Sequence, residues 1–462
     1  MRVIIAGGGP AGFVVARTMV DRGHEVVLLE KRAVPGGKVS AWRDEDGDWI
    51  ESGLHVFFGA YHHLLGFLER YGLGDTFNWK PAEMIFASER HGLAGIRFVP
   101  WLPTPLNGLA GVAGFKPLSW GDKLRMGLGL MRPIFGDQRY VDQQDDESYA
   151  SWHLRHGMGQ RSLDEVMHTM ALALNFQPAD RVSAKLALTA MLHFAHEKEA
   201  PRMALVKGSP DTNIWRPLIA QIEARGGRVE LGRKVVAIKH DAAANQVTGF
   251  ALEDGEMITG DVYVSAMPVH SLRKVLPESL RQFAYFDNLK HLKGSPVITM
   301  QLFFDRQIAG VDNLLFSAGT HLSVYADMAM VAPEYHRGGK SIMQFVVAPA
   351  EELIKLPDDE LVRVVMEEFV RLHPNARSAR LLKHTIVRIP NSVYQALPGV
   401  DKYRPDQASP VPNLFLAGDF TRQHFLASIE GATISAEQCV ARIEEALARG
   451  AIAPAGAAIT VD

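Results

Sequence analysis

The chain has 462 residues, 47% of them hydrophobic and 22% charged, with 49 basic against 52 acidic side chains and a net charge of −3. That length exceeds one domain and buries a large core, and the lack of a basic excess argues against a nucleic-acid partner. The single cysteine, Cys439, excludes an intramolecular disulfide and a cysteine-built metal cluster, and no apolar run reaches the ~18 residues of a membrane-spanning helix.

The first thirty residues carry the strongest signal. Arg2-Val3-Ile4-Ile5-Ala6 reads as a strand, Gly7-Gly8-Gly9-Pro10-Ala11-Gly12 as a glycine turn opening a helix, and Val26-Val27-Leu28-Leu29 as a second strand closed by Glu30. Gly7, Gly9 and Gly12 form G-x-G-x-x-G, with Glu30 at the distance that suits a ribose hydroxyl. Gly7 permits the tight turn, Gly9 lets backbone amides approach a pyrophosphate, and Gly12 lets helix pack on strand. The helix N-terminus offers unpaired N–H groups and a positive dipole end to the anion. This is a dinucleotide site. Lys31-Arg32 and Pro35-Gly36-Gly37-Lys38 follow the acid. A second glycine pair with a cation suits FAD, held in an extended pose inside the protein. The chain starts directly on the first strand, so no targeting peptide is expected.

Asp44-Glu45-Asp46-Gly47-Asp48 reads as a polar hairpin tip, and the apolar segment Trp49–Tyr61 returns from it. Gly53 and Gly59 mark close backbone approach to a ligand. Phe57, Phe58 and Tyr61 line either the core or a cavity.

Residues 100–136 differ in character. Pro100–Leu106 is a stiff apolar loop. Leu109–Phe135 follows as helices broken by Gly and Pro, with Lys116, Lys123, Arg125 and Arg132 interleaved among Trp120, Leu124, Leu128 and their neighbours. This pattern fits either a helix lying in a membrane interface or a buried helical hairpin of a cap. Residues 147–225 read as helical, most clearly at Gln160–Leu174 and Val182–His196. His193 and His196 stand i, i+3, a spacing able to hold a metal, but no third ligand lies nearby and none is expected.

Strands resume at Arg228–Leu231 and Lys234–Ile238, and a hairpin-rich stretch runs to Ser265, where the chain re-enters the nucleotide domain. Residues 296–348 alternate as an antiparallel substrate-domain sheet, and Asp358–Arg371 is a helix. Leu414-Phe415-Leu416-Ala417-Gly418-Asp419 is a buried strand ending in Gly-Asp. Ser428-Ile429-Glu430-Gly431-Ala432 then opens an amphipathic helix to about Arg449, which carries Cys439 as a small buried residue. A carboxylate and a helix N-terminus so placed suit the ribityl and phosphate groups and a reduced flavin. The tail from Gly450 reads as disordered.

The stretches LLEKRAVPGGKVSAWRDEDGDWIESGLHVFFGAY, TPLNG, ALNF, FDR, LLFS, LSVYADM, APAEE, SVYQALPG and LAGDFTRQHFLASIEGA resemble the plant and cyanobacterial type of 15-cis-phytoene desaturase. These are FAD enzymes of carotenoid biosynthesis within the larger amine-oxidase-like flavoprotein group. The resemblance implies an α/β architecture: a Rossmann-type FAD-binding domain, a mixed-sheet substrate domain and a helical membrane-associating subdomain. The expected division is FAD-binding 1–80, helical, membrane-associating and substrate region 81–225, FAD-binding 226–275, substrate-binding sheet 276–400, FAD-binding 401–449 and a disordered tail 450–462.

The resemblance implies that FAD is held by Gly7, Gly9, Gly12, Glu30, Arg32, Gly37, Lys38, Gly53, Leu54, His55, Val235, Gly418, Asp419, Ile429 and Ala432. It places Phe58, Tyr394 and Leu426 near the flavin where substrate and quinone enter. It implies C=C bond formation in a long isoprenoid, a membrane quinone as acceptor, and peripheral attachment through residues 105–135 on the cytoplasmic face of a membrane. It leaves room for a homo-oligomer. The family typically carries an arginine where this chain has His193, an aromatic at Val347 and a threonine at Ala396, so His193 and Val347 join the cavity candidates. The alternatives are a ζ-carotene desaturase, a hydroxysqualene dehydroxylase and, more distantly, a flavin amine oxidase. Flavin chemistry on a delocalised polyene explains why no dedicated catalytic acid–base pair stands out.

Overall fold

The computed structural model describes residues 1–336 and 338–452; the expected disordered tail lies outside them from residue 453 onward. Five strands form a parallel sheet in the order β5-β2-β1-β6-β12: β1 (Arg2–Ala6), β2 (Glu25–Glu30), β5 (Arg228–Leu231), β6 (Val262–Ser265) and β12 (Leu414–Leu416). Val3, Ile4 and Ile5 are fully buried, as expected of a parallel sheet covered on both faces. Helix α1 (Pro10–Asp21) packs against helix α8 (Ile429–Ala448). Ala6 is level with Leu29 on one side and Ser265 on the other. The C-terminal ends of three strands from distant parts of the chain therefore share one edge.

The second sheet has seven strands in the order β11-β7-β10-β9-β8-β3-β4. They are β3 (Glu83–Ser88), β4 (Gly92–Arg97), β7 (Val297–Phe304), β8 (Leu315–Ser317), β9 (Leu322–Asp327), β10 (Ile342–Val347) and β11 (Leu381–Ile389). All neighbours are antiparallel except β3 and β8. The hairpin β3–β4 falls inside the 81–225 stretch expected to be the helical, membrane-associating and substrate region. Its partner β8 lies more than two hundred residues away in sequence, so no local pattern announces it.

One face of this sheet packs under helix α7 (Asp358–Leu372). There Met300, Leu302, Met343, Phe345 and Val347 meet Leu361, Val365 and Phe369 in a core of their own. The opposite face, with Val324, Ile342 and Val346, belongs to the main core. That face also rests on the segment around Ser52 and Gly53: the Thr299 hydroxyl donates to the Ser52 carbonyl (3.2 Å) and the Gln344 amide to the Gly53 carbonyl (2.7 Å).

A helical layer caps the same side. It includes α3 (Leu106–Gly114), α4 (Trp120–Ile134), the helix His168–Asn175 and α5 (Ala184–His196). Pro117 and a capping box separate α3 from α4: the Asp122 N–H donates to Ser119 Oγ (3.2 Å) and the Ser119 N–H to Asp122 Oδ2 (3.1 Å). Within the stretch read as helical, Met203–Val206 is a fully buried strand between Phe57–Phe58 and Phe77–Trp79. Four apolar residues between Pro201 and Gly208 are too few for a helix, and burial on both faces removes any alternation.

Candidate active site

The glycine turn sits at the shared strand edge. Gly7 has φ of +120°, and a Cβ there would meet the Ala266 carbonyl oxygen at 2.6 Å; a Cβ on Gly12 would lie 1.9 Å from the Gly7 oxygen. Packing alone therefore requires both glycines. Gly9 differs. Its φ of −91° suits any residue, and a Cβ would meet only Gly37 Cα at 3.9 Å. Glycine where the protein does not demand it fits the approach of a pyrophosphate to bare backbone at the start of α1. Nearby, the Ser265 hydroxyl is fully buried and finds no protein partner, which also suits a bound polar ligand.

Glu30 is buried, and its two oxygens accept the N–H groups of Gly8 (2.8 Å) and Arg32 (2.9 Å). The carboxylate is thus fixed beside the turn with lone pairs left for a ribose. Arg32 donates to the Gly37 carbonyl (3.2 Å) and to Ser40 Oγ (2.8 Å), which holds the second glycine loop closed. That loop in turn lies against the first, with the Gly36 N–H on the Gly8 carbonyl at 2.7 Å. Val235 comes just after a link that docks on β2: Arg233 N–H donates to the Glu30 carbonyl (2.8 Å) and Gly232 N–H to that of Arg32 (3.0 Å).

Lys38 Nζ reaches Asp419 Oδ2 at 3.1 Å and joins the loop to the C-terminal segment. Gly418 has φ of +152°, and its N–H donates to Ser435 Oγ in α8 (2.9 Å). Ser428 caps α8 by accepting the Gly431 N–H (3.1 Å), so Ile429 and Ala432 occupy the first turn of a twenty-residue helix. Gly53, Leu54 and His55 lie on the strap that the seven-stranded sheet touches. His55 Nδ1 pairs with Glu51 (2.6 Å) and its Nε2 with the Lys38 carbonyl (3.0 Å). The turn glycines, Glu30, Arg32, Gly37, Lys38, Gly418 and Asp419 thus lie on or beside the loops at this edge, whereas Val235 begins a strand of a separate three-stranded sheet. The site offers backbone donors, a buried carboxylate, a cation and a helix N-terminus.

A separate cavity of about 380 Å³ lies under the helical cap. Its walls are apolar, including Phe86, Ile96, Phe98, Met170, Met191 and Phe194. Leu109, Trp120 and Leu124 also line it, yet Trp120 is 73% exposed and Leu124 65%. Eight of the thirteen exposed large hydrophobic side chains among the described residues fall between Trp101 and Phe135. The stretch thus roofs a cavity and also exposes apolar side chains.

Phe58 stands in an aromatic row running from this cavity towards Phe425. Ring centroids are 6.4 Å apart for Phe98–Phe194, 6.0 Å for Phe194–Phe58, 5.6 Å for Phe58–Tyr61 and 5.8 Å for Tyr61–Phe425. Tyr394 and Leu426 line a smaller polar cavity with Ala396, Arg404, His424 and Phe425. Burial pushes the Tyr394 phenol up to about 12. Burial, with His63 and His193 nearby, lowers the His424 imidazole. His193 packs on Phe425 at 4.8 Å and pairs through Nδ1 with Glu197 (2.6 Å), whose other oxygen holds His62 (2.5 Å). His196 instead bonds the Ile134 carbonyl (2.6 Å), so the two i, i+3 histidines serve different partners.

Val347 does not join these groups. It is fully buried on the α7 face of the sheet, the side away from the cofactor strap. Its inclusion among the cavity candidates is corrected by strand alternation, since its neighbour Val346 faces the main core instead.

Arg404 escaped the sequence reading. It is 3% exposed and donates to the carbonyls of Thr421, Asp419 (3.4 Å) and Gln423 (3.3 Å) and to Asp401 (2.9 Å). It thereby stiffens the segment that carries Asp419 and Leu426. The only trace in the sequence is an arginine before a proline in a polar loop.

Residues 10–444 match the family model described as flavin containing amine oxidoreductase. The 15-cis-phytoene desaturase of Synechococcus elongatus is 40% identical over 471 residues, covering 99% of both chains. The chloroplastic/chromoplastic 15-cis-phytoene desaturase of Solanum lycopersicum is 40% identical over 452 residues, covering 96% of this chain and 77% of that one. Among solved structures, an oxidoreductase from Methanosarcina mazei superimposes with a TM-score of 0.75 at 17% identity, covering 95% of this chain and 99% of the other, and shares the fold.

Proposed function

Because the chain belongs to the flavin-containing amine oxidoreductases, in the branch of the 15-cis-phytoene desaturases, we propose that this FAD-dependent oxidoreductase introduces C=C bonds into a long isoprenoid, 15-cis-phytoene, towards ζ-carotene. One observation carries the substrate class: an apolar cavity whose mouth is built from the outward-facing side chains Leu109, Trp120 and Leu124. Such a mouth admits a water-insoluble hydrocarbon and little else.

Forming C=C from CH–CH removes a hydride from one carbon and a proton from its neighbour. Bound FAD supplies the hydride acceptor. The protein's part is position and dryness. Glu30 would take the ribose, the backbone at Gly7, Gly9 and Gly12 the pyrophosphate, Lys38 and Asp419 would hold the middle of the cofactor, and the α8 N-terminus would stabilise negative charge on it. Arg32, Gly37, Gly53, Leu54, His55, Val235, Gly418, Ile429 and Ala432 complete the proposed shell. Phe58 and the neighbouring rings position the chain of the substrate, and Tyr394, Leu426 and His193 border the place where a quinone receives the electrons.

The interfacial stretch 105–135 is the proposed peripheral contact with the cytoplasmic face of a membrane. Lys123 sits over the Trp120 ring at 4.7 Å, a pairing of cation and amphipathic ring that suits the headgroup level. No helix among the described residues is long and apolar enough to cross a bilayer.

The test is anaerobic. Purified holoprotein in liposomes is given phytoene while the visible flavin band is followed. Bleaching, then recovery on adding a quinone, supports both half-reactions. An unbleached flavin with phytoene sinks the substrate assignment. Ala396, at the polar cavity, and His193, packed on Phe425 beside it, favour ζ-carotene and hydroxysqualene as the next substrates to try. Peroxide formed from amines would point instead to an amine oxidase.

A further inference from the structure

A cavity of about 690 Å³ opens beside helix α6 (Val269–Val275), which follows the end of β6. Its wall carries four cations, Arg273, Lys274, Arg281 and Lys290, against one carboxylate, Asp287. Lys290 is paired with Asp287 (2.7 Å) and Arg281 with Glu278 (3.9 Å). Arg273 and Lys274 are exposed and have no carboxylate partner among the described residues. This excess of positive charge stands in a chain whose net charge is −3.

His270 lines this cavity and follows β6, whose end at Ser265 is level with Ala6 beside the glycine turn. Burial first, then Lys38, Lys31 and Lys274, depress the His270 imidazole to about 4, while Asp419 pulls the other way. Lys38 and Asp419 are the pair that closes across the cleft. The cation inside the cleft is thus already engaged by a carboxylate, and the uncompensated charges, Lys31, Arg273 and Lys274, stand outside it.

We propose that this cavity captures the diphosphate of FAD before the cofactor docks. Arg273 and Lys274, with Lys31, draw a dianionic ligand to an overall anionic protein and set its rate of association. Once the pyrophosphate has moved to the glycine turn, these cations no longer bear on its rate of release. Clefts lined by one sign of charge raise on-rates ~10- to 1000-fold, and rim charges act on association more than on dissociation. The proposal depends on FAD as the cofactor and is independent of the isoprenoid substrate.

The experiment uses full-length apoprotein and FAD, with stopped-flow quenching of FAD fluorescence across a salt series. The R273E/K274E protein is expected to associate about tenfold more slowly at low salt, with a flatter salt dependence and an unchanged dissociation rate. R273K/K274R is expected to keep the parental rate, and R273Q/K274Q to fall between; the glutamine pair decides the matter should the charge reversal fail to fold. Parental association in R273Q/K274Q at low salt would overturn the proposal. So would a change confined to dissociation, which would make these residues part of the final grip. Loss of binding to phosphatidylglycerol vesicles with unchanged FAD association would also overturn it and assign the cavity to a lipid headgroup.

Discussion

Lys38 and Asp419 stand 381 positions apart in the chain and meet at 3.1 Å, with Lys38 on the second glycine loop and Asp419 just beyond the last strand of the nucleotide sheet. The pair holds the N-terminal and C-terminal parts of the cofactor cleft together. The Asp419 side chain is 14% exposed and that of Lys38 30%, so solvent screens the pair only in part. Asp419→Asn is expected to weaken FAD binding roughly tenfold, the ~1.4 kcal/mol scale of one charge-assisted hydrogen bond. Titration of apoprotein with FAD checks it; unchanged affinity would make the pair a matter of folding alone.

Gly9 and Gly12 should behave differently although both belong to one turn. Gly12→Ala places a Cβ 1.9 Å from the Gly7 oxygen and is expected to destabilise the apoprotein by about 3 kcal/mol or more. Gly9→Ala meets nothing closer than 3.9 Å. It should fold with parental stability yet lose most of its FAD. Denaturation of the apoproteins, set beside flavin content after purification, separates the two.

Trp120 and Leu124 are 73% and 65% exposed. Trp120→Asp with Leu124→Asp is expected to leave thermal unfolding and FAD content unchanged and to reduce binding to liposomes by about 100-fold or more, from a loss of ~1.5–3 kcal/mol for each of the two apolar side chains. Flotation of the variant with vesicles gives the answer. Parental flotation would remove the membrane assignment for this face.

The seven-stranded sheet carries a pH liability. His373 Nε2 is bonded to the Tyr325 hydroxyl at 2.7 Å, and burial lowers its imidazole from 6.5 to about 4. The folded protein therefore resists the proton that the unfolded chain accepts below pH 6.5. This contribution is present in full above about 6.5 and is lost as pH falls towards 4, up to about 3 kcal/mol. His270 adds to the same slope. His373→Gln should flatten the fall in urea stability between these pH values without abolishing it.

What the sequence disclosed follows from how local each signal is. The glycine turn, Glu30 and the Gly-Asp strand end are chemistry written over a few neighbouring residues, and the structure brings them to one edge. Val347 failed because Ile342–Val347 is buried on both faces; such a run carries no alternation from which to assign a side. The hairpin β3–β4 was missed because its sheet partner, β8, is remote in sequence. Arg404 was missed because a buried cation that binds carbonyl oxygens needs no companion of any particular type, so nothing near it in the chain reveals its partners.

The order of strands in the nucleotide sheet also governs timing. Its edge strand, Leu414–Leu416, and the helix after it come last in the chain, yet they supply Gly418, Asp419, Ile429 and Ala432. During synthesis the glycine turn is made long before the other half of its proposed clasp. A chain stopped before the final helix would lack Ile429 and Ala432 and is expected to lose FAD.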